Sequence, residues 1–301
     1  MHHHPGSGLK KLEEIMHSRQ VKIIIWVIFL AVGLLTGPSA LAQTIIVATL
    51  SAEPMLDGSD ADWDRVPSVT IPLMKNREGA ETDVDAVSIK AGIYGEYFFL
   101  FATWLDASED QIHKPFVWND KEARYIRGPQ REDRFSIQFE MAGDFTTQWF
   151  SGNEFKADMW HWKSSRTNPM GLAHDKMTII TTTPLKRSYK TVAKNGKIIY
   201  LFRPSDAGDD IYYGKRYSQK EKDIMPKYIF NNNPQGSITD VKAKGVWKNG
   251  MWLLEIKRKM DTGHPDDVVF VKGKAVKAGI GIFNHSETDD HTISETLIFQ
   301  F

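Results

Sequence analysis

One run in the middle of the chain combines metal-ligand residue types with large apolar ones, and it reads Lys-Ala-Asp-Met-Trp-His-Trp-Lys-Ser-Ser-Arg. Successive side chains of an extended strand point to opposite faces of a sheet. Trp160 and Trp162 then share one face, and Met159, His161 and Lys163 share the other. The run therefore predicts a strand with one packing face and one face that carries two possible metal ligands and a cation. The plainer alternative is an amphipathic strand whose tryptophans are core and whose histidine lies on the surface.

The remaining histidines fall in less informative places. Ten histidines occur in the chain, and those after residue 42 are His113, His161, His174, His264, His285 and His291. His113 and His264 stand near prolines in polar stretches, so we expect them to contact only water, and His174 is predicted to lie in a loop. His161, His285 and His291 lie in or beside strand-like segments. The pair Asp289-Asp290 before His291 predicts either a metal-binding trio or a simple acidic turn.

The absence of cysteine limits the metal chemistry that these residues can support. The chain has no Cys among its 301 residues, which excludes disulfides, covalent c-type haem, iron–sulfur clusters and thiolate zinc sites. Haem iron can instead be bound by His, Met, Lys or Tyr in an apolar slot. The composition thus permits a non-covalent b-type haem. With 38 basic and 38 acidic residues the formal net charge is zero, so no nucleic-acid partner is expected.

The first 42 residues predict an N-terminal extension followed by a signal peptide. A short basic region at 16–22 precedes an uncharged apolar stretch at 23–35, and the segment ends in Ala-Leu-Ala at Ala42. This order is typical of export signals, so we expect cleavage before Gln43 and a periplasmic protein. The alternative is an uncleaved N-terminal membrane anchor. Residues 43–301 are predicted to form one domain.

The mature part reads mostly as strands. Residues 134–141 alternate between apolar and polar, residues 97–104 are strongly apolar, and Asn249-Gly250 is typical of a two-residue hairpin turn. Further strands are predicted, among them 268–271, whereas 186–234 is predicted to hold long loops with one short helix near 218–225. Many strands separated by turns favour an all-β fold, an antiparallel β-sandwich. The residues predicted to contribute to its core are Trp63, Phe99, Phe101, Phe135, Ile137 and Phe139.

Several of these segments together resemble a known family. The opening Leu-Asp-Gly-Ser-Asp-Ala-Asp-Trp at 56–63 is similar to the start of the sandwiches of carbohydrate-binding module family 9. Segments at 132–137, 158–163, 281–284 and 290–294 resemble one branch of that architecture, the haem-binding domain of the gamma subunits of ethylbenzene dehydrogenase and dimethyl sulfide dehydrogenase. The resemblance covers nearly the whole mature chain.

The resemblance implies a b-type haem at one end of the sandwich, bound by a Met and a Lys. His291 stands where the family has its C-terminal Lys, just before an Ile-Ser strand. The family's Met precedes the Trp-x-Trp-Lys run, where this chain has no Met at 148–154. The second axial ligand is therefore expected among His161, Met159 and Met141, in that order. Trp160, Trp162, Lys163, Arg134 and Asn284 are the residues expected to contact the haem.

The function that this resemblance implies is electron transfer, without catalysis by the chain itself. The haem would exchange single electrons with a redox enzyme such as a molybdenum oxidoreductase, or with a cytochrome or quinone-linked carrier. Two alternatives stay open. A carbohydrate-binding module without haem would expose Trp160 or Trp162 on a groove. A sandwich that has lost its cofactor would hold His161 and His291 far apart.

Overall fold

The structure of the protein is a computed structural model that describes residues 42–284 and 289–301. The predicted signal segment therefore lies outside the described residues apart from Ala42, and so does His285. Within the described ranges, no helix has both the length and the apolar character needed to cross a membrane.

The described chain consists of strands and single turns of 3-10 helix. The 3-10 turns are Ala61–Trp63, Asn168–Met170 and Ser237–Thr239. The strands are β1 (Thr44–Ile46), β2 (Ala48–Thr49), β3 (Val69–Lys75), β4 (Ala86–Tyr94), β5 (Tyr97–Leu105), β6 (Phe116–Asn119), β7 (Arg124–Arg127), β8 (Arg134–Gly143), β9 (Phe155–Lys163), β10 (His174–Thr181), β11 (Tyr189–Val192), β12 (Ile198–Phe202), β13 (Tyr212–Gly214), β14 (Ile224–Met225), β15 (Tyr228–Phe230), β16 (Lys242–Trp247), β17 (Met251–Lys259), β18 (Ala275–Phe283), β19 (Thr292–Ser294) and β20 (Leu297–Gln300).

The strands form two layers that β3 joins. The front sheet has the order β11-β12-β10-β9-β8-β18, with β19 and β20 both paired to β18. The back sheet has the order β3-β4-β5-β17-β16. β3 pairs with β4 through its first residues and with β19 through its last ones, so it belongs to both layers. All these pairs are antiparallel, and the parallel pairs among the described strands are β1–β20 and β2–β4. The predicted antiparallel β-sandwich is confirmed.

The core between the layers is built largely from aromatic rings. Trp104 of the back sheet stacks on Phe135 of the front sheet at 5.8 Å between ring centroids. Trp162 meets Trp252 edge-on at 5.0 Å. Burial of such rings is the main source of stability in a fold without disulfides. The six residues predicted for the core are all buried, although Trp63, Phe99 and Phe101 form a separate cluster from the inter-sheet core.

That separate cluster is fixed by one buried carboxylate. Glu255 accepts hydrogen bonds from the indole of Trp63 at 2.9 Å and from the backbone N–H groups of Asp57 and Gly58 at 2.8 and 2.7 Å. Gly58 has a φ of +78°, and a Cβ there would overlap the side chain of Val246. The Asp-Gly turn at the start of the domain therefore packs tightly against the back sheet.

Local turn chemistry predicts some elements correctly and misses others. Asn249 and Gly250 both have positive φ and connect β16 to β17, which confirms the predicted hairpin. The helix predicted near 218–225 is wrong, because this segment contains bends and the short strand β14, which pairs with β6. The strand predicted at 268–271 is also wrong. The backbone of its first residue, Val268, bonds to side chains and not to a neighbouring strand. Its N–H donates a hydrogen bond to Asp158, and its C=O accepts one from Arg258.

Candidate cofactor site

The outer face of the front sheet, turned away from the core, collects most of the predicted site residues. Strand register places Ser136 opposite His161 and His161 opposite His174, so these three side chains share that face. Gly281 lies opposite Ser136 on the other side. This set, with the outward side chains beside it, is called the outer face below. Its further members are Arg134, Gln138, Met159, Lys163, Lys176, Phe283 and His291.

His161 is buried on the outer face and has an unused ring nitrogen. Its exposed fraction is 8%, and its Nε2 has no hydrogen-bond partner within residues 42–284 and 289–301. Burial, and next the charges of Lys163 and Arg134, hold its pKa well below the usual range. The imidazole is therefore neutral near pH 7 and keeps a lone pair, which is the form that binds metals.

His291 lies on the same face and is joined to His161 through one aromatic ring. Phe283 stacks on the imidazole of His291 at 4.3 Å and on that of His161 at 5.8 Å between centroids. Burial also lowers the pKa of His291. Its Nδ1 lies 2.9 Å from the backbone oxygen of Asp289, so an Nδ1–H donated to this carbonyl leaves the Nε2 lone pair available.

The two carboxylates beside His291 have other tasks. The carboxylate of Asp289 pairs with Arg134 at 3.0 Å, and that of Asp290 pairs with Arg77 at 2.7 Å. A backbone carbonyl therefore orients the imidazole, and the interpretation of Asp289-Asp290-His291 as a metal-binding trio is not supported. The guanidinium of Arg134 also lies over the ring of Phe283 at 4.0 Å, so it borders the outer face beside His291.

The floor of the outer face is shaped by glycines in β18. A Cβ at Gly281 would lie 3.0 Å from the hydroxyl of Ser136 and 3.8 Å from the ring of His291, and one at Gly279 would overlap the methyl of Thr147. The carbonyl oxygen of the Gln138 side chain is buried nearby without a partner. Thr147 and Ser136 fill the space above these two glycines. The unpartnered imidazole nitrogen and the unpartnered amide oxygen suit a group that brings a metal and its own polar atoms. By these observations the residues present fit a haem.

The outer face also carries an excess of positive charge. Lys163 is buried, and its ammonium nitrogen lies 3.0 Å from His174 Nδ1. Burial, and then the charges of Arg166 and Lys176, place its pKa well below the usual value. Burial lowers the pKa of Lys176 to about 8. Neither lysine has a carboxylate ion pair among the described residues, so an anionic group at this face would favour their protonated, charged forms.

Three histidines behave differently from the expectation. His174 begins β10 instead of lying in a loop, and both its ring nitrogens have partners, Lys163 and the hydroxyl of Ser205 at 2.8 Å. His113 is buried 3.3 Å from a carboxylate oxygen of Glu132. His264 lies 2.6 Å from Asp240. The prediction that His113 and His264 contact only water is wrong, because their partners come from distant parts of the chain.

The two methionines predicted as alternative ligands lie on different sides of the front sheet. Met159 is buried on the outer face, in register with Gln138 and Lys176. Met141 lies at the β-bulge of β8, between Glu140 and Ala142, and packs against the inter-sheet core, so it does not share the face of the two histidines. Met74 of β3 is a further thioether beside this face. It pairs in register with Ile293, and its sulfur lies 4.0 Å from the amide nitrogen of Gln148.

Two of the predicted cofactor contacts need correction. Trp160 and Trp162 are completely buried between the sheets, on the side of β9 opposite to His161. They pack the strand against the core and do not line the outer face, because adjacent strand positions alternate. Asn284 ends β18 and donates a hydrogen bond to Asp83 at 2.6 Å, while its side-chain oxygen is buried without a partner.

Comparison with known proteins gives one matching family model and several solved structures of low sequence identity. A family model described as ethylbenzene dehydrogenase matches residues 60–293. A solved carbohydrate-binding module of family 9 from Caldicellulosiruptor kristjanssonii, in complex with glucose, is 12% identical. It covers 86% of this chain and 95% of its own, with a TM-score of 0.37. A Bacteroides uniformis protein assigned to carbohydrate binding is 9% identical over 85% of this chain and 91% of its own, with a TM-score of 0.41. No curated protein matches the chain.

Proposed function

We propose, from the premise that this chain belongs to the ethylbenzene dehydrogenase family, that it is a b-type haem protein that transfers single electrons. The observation that carries the proposal is His161, a buried neutral imidazole whose Nε2 faces no protein partner. A bound haem would supply a one-electron couple at its iron, and the protein would supply ligands, burial and orientation.

Different residues of the outer face would bind the metal, position the imidazoles and neutralise charge. His291 and His161 would hold the metal, with Met159 and Met74 as the thioethers of the same region. Phe283 contacts both imidazoles and would fix their distance. Arg134, Lys163 and Lys176 would neutralise acidic groups carried by the cofactor, since a buried anion is stable only when it is paired.

The site chemistry supports a subunit or carrier more than an independent catalyst. Electron transfer requires that a cofactor be held rigidly, whereas covalent catalysis requires a positioned nucleophile and base. We propose that the partner is a redox enzyme such as a molybdenum oxidoreductase, and that the chain works in the periplasm after export. The partner depends on the haem, whereas the location depends on the export signal predicted before Gln43.

Sugar binding is the alternative that the fold permits. It predicts that Trp160 or Trp162 stacks on a sugar ring at the surface, but both have exposed fractions of 0%. These two tryptophans therefore do not form a sugar-binding platform, and no second function is proposed.

Titration of the purified protein with haemin, followed by its visible spectrum, tests the proposal. We expect saturable binding of one haem per chain and a low-spin spectrum in both the ferric state and the dithionite-reduced ferrous state. Replacement of His291 by Leu should convert this spectrum to a high-spin one. The control is His264→Leu, which should leave the spectrum unchanged, because His264 is exposed, bonds to Asp240 and is not part of the outer face. Absence of saturable binding, or saturable binding of an oligosaccharide instead, would overturn the proposal.

A further inference from the structure

A second buried polar cluster lies on the inner side of the front sheet, away from the outer face. Asp158 of β9, Asp175 of β10 and Asp267 of the loop after β17 bring carboxylate oxygens within 4.8 Å of one another. All three residues are buried, with exposed fractions of 0%, 0% and 5%. Asp206, 5% exposed, adjoins the trio, because its carboxyl group approaches that of Asp175. These four residues are called the aspartate cluster below.

The aspartate cluster contains more negative charge than its neighbours neutralise. Arg258 of β17 is the buried cation that pairs with it: one of its nitrogens contacts Asp158 and lies 3.4 Å from Asp267. One guanidinium therefore faces four carboxylates. Carboxylates that are buried at this density repel one another strongly unless further positive charge or protons lie between them.

Unpartnered oxygens point into the cluster from separate elements. In the part of the chain that the structure describes, no hydrogen-bond donor is paired with Asp158 Oδ1, Asp175 Oδ2 or either oxygen of Asp206. Asp175 comes within hydrogen-bonding range of both Asp158 and Asp206, yet an ionised carboxylate has no hydrogen to donate. Contacts of this kind are stable only with a shared proton or with a cation between the oxygens.

Burial also favours the protonated form of the carboxyl groups in the cluster. Burial raises the pKa of Asp206 to about 8 and that of Asp267 to about 6, and it also raises the pKa values of Asp158 and Asp175. In every case burial is the largest cause. A bound cation would reverse these shifts, since metal binding displaces protons from its ligands.

We propose that the aspartate cluster binds a divalent cation that prefers oxygen ligands, with Ca²⁺ as the ion that fits it best. The ligand set offers only oxygen, from side chains that can bind through one or both atoms, which is the chemistry of Ca²⁺. Mg²⁺ retains several waters and demands regular octahedral geometry, which suits a fully buried cluster less well. The site is independent of the haem, because its residues lie on the other side of β9 from His161.

The ion would tie together elements that are distant in sequence. Asp158 and Asp175 lie on neighbouring strands, Asp206 follows β12, and Asp267 belongs to the loop that also packs Val268 against Asp158. β9 is the strand that carries His161 at its other face. A cation here would therefore fix the strand on which the outer face is built.

Chelator-treated haem-free protein, titrated with CaCl₂ in a calorimeter and in a thermal melt, tests the proposal. We expect one Ca²⁺ per chain and a higher Tm with Ca²⁺ than with chelator. Asp206→Asn is the most conservative variant, since the side chain of Asp206 accepts no hydrogen bond in the structure; it should weaken Ca²⁺ affinity about tenfold or more. Asp210→Asn, at an exposed aspartate in the same loop, is the matched control and should bind Ca²⁺ as the wild type does.

The opposite result is equally definite. If neither Ca²⁺, Mg²⁺ nor Mn²⁺ binds, and Asp206→Asn raises the Tm in chelator as in metal, then the cluster holds shared protons and the proposal is overturned. If Asp206→Asn does not fold, the wild-type stoichiometry alone decides between the two outcomes. The calorimetric titration and the thermal melt do not depend on haem binding, so failure of the haem proposal would leave their results unaffected.

Discussion

The two faces of β9 are both buried but carry different polar groups. On the inner face, Trp162 packs against Trp104 and Trp252 and donates its indole N–H to Asn168 at 3.0 Å. On the outer face, His161 is nearly as buried, yet its Nε2 has no partner. Buried polar groups are normally hydrogen-bonded, so an unpartnered one requires an explanation. The inner face also holds unpartnered atoms, the indole nitrogen of Trp160 and Oδ1 of Asp158. What separates the faces is therefore the type of group left without a partner, which is a neutral imidazole only on the outer face.

The energetic roles of the faces should differ accordingly. The inner face stabilises the fold through apolar burial and aromatic contacts. The outer face holds an unpartnered imidazole and two lysines without carboxylate partners, which lowers stability in the absence of a ligand. Substitutions on the two faces of one strand should therefore separate folding from binding.

Truncation of the inner face should produce the largest loss of stability. Trp162 is completely buried, and the backbone at Gly245 approaches its ring so closely that a Cβ there would overlap it. We expect Trp162→Ala to lower the free energy of unfolding by about 3 to 5 kcal/mol in urea denaturation. Tyr189→Ala, at an aromatic residue with 62% exposure, is the control and should change it by less than about 0.5 kcal/mol. A small effect of Trp162→Ala would contradict the assignment of the inner face.

Burial also shifts carboxyl groups at the rim of the inner face, in the sense opposite to the imidazoles of the outer face. It raises the pKa of Asp106 to about 6 and that of Asp133 to about 8, so the folded protein binds protons more tightly than the unfolded chain. This stabilisation is complete below about pH 4 and is lost as the pH rises through 6 and 8.

Asp106→Asn should remove part of the stability loss that the wild type shows as the pH rises. We expect the variant to be more stable than the wild type at pH 8 by about 1 kcal/mol, because the exposed neighbours of Asp106 allow solvent to screen its charge. At pH 4 the two proteins should have nearly equal stability. Urea denaturation at both pH values measures the difference, and a wild-type protein that gains stability between pH 5 and pH 8 relative to the variant would contradict the sign.

The smallest effect on stability is expected at the outer face. His161→Leu keeps a side chain of similar size and removes the unpartnered nitrogen. Replacement of an unsatisfied polar group by an apolar one of the same shape is nearly neutral or stabilising. The haem-free variant should therefore unfold within about 1 kcal/mol of the wild type, or at higher urea. A loss as large as that of Trp162→Ala would show that His161 is structural.

The sequence predicts what depends on local alternation. The faces of β8 and β9, the predicted core residues and the Asn249-Gly250 turn all follow from period-two patterns and turn chemistry. The positions of His174 and Met74 do not, because each depends on which strand pairs with which across the sheet. The aspartate cluster is still less visible, since its members are contributed by two strands and two loops and become a group only in the folded chain.

The site was predicted in part for the same reason. Placing His161 and Lys163 on one face needs only alternation, and the structure confirms that placement. The contact of Phe283 with both His161 and His291 depends on the pairing of β8 with β18, which no local pattern encodes. The assignment of Trp160 and Trp162 to the cofactor site is wrong, because both side chains point into the inter-sheet core.

The most direct test of the account compares haem binding by the wild type and by His161→Leu, in parallel titrations at neutral pH. We expect the wild type to form a low-spin complex with one haem per chain. We expect His161→Leu, folded and as stable as the wild type, to lose that spectrum or to bind haem far more weakly. An unchanged low-spin spectrum and affinity in His161→Leu would contradict the claim that the unpartnered imidazole of the outer face exists to bind the iron.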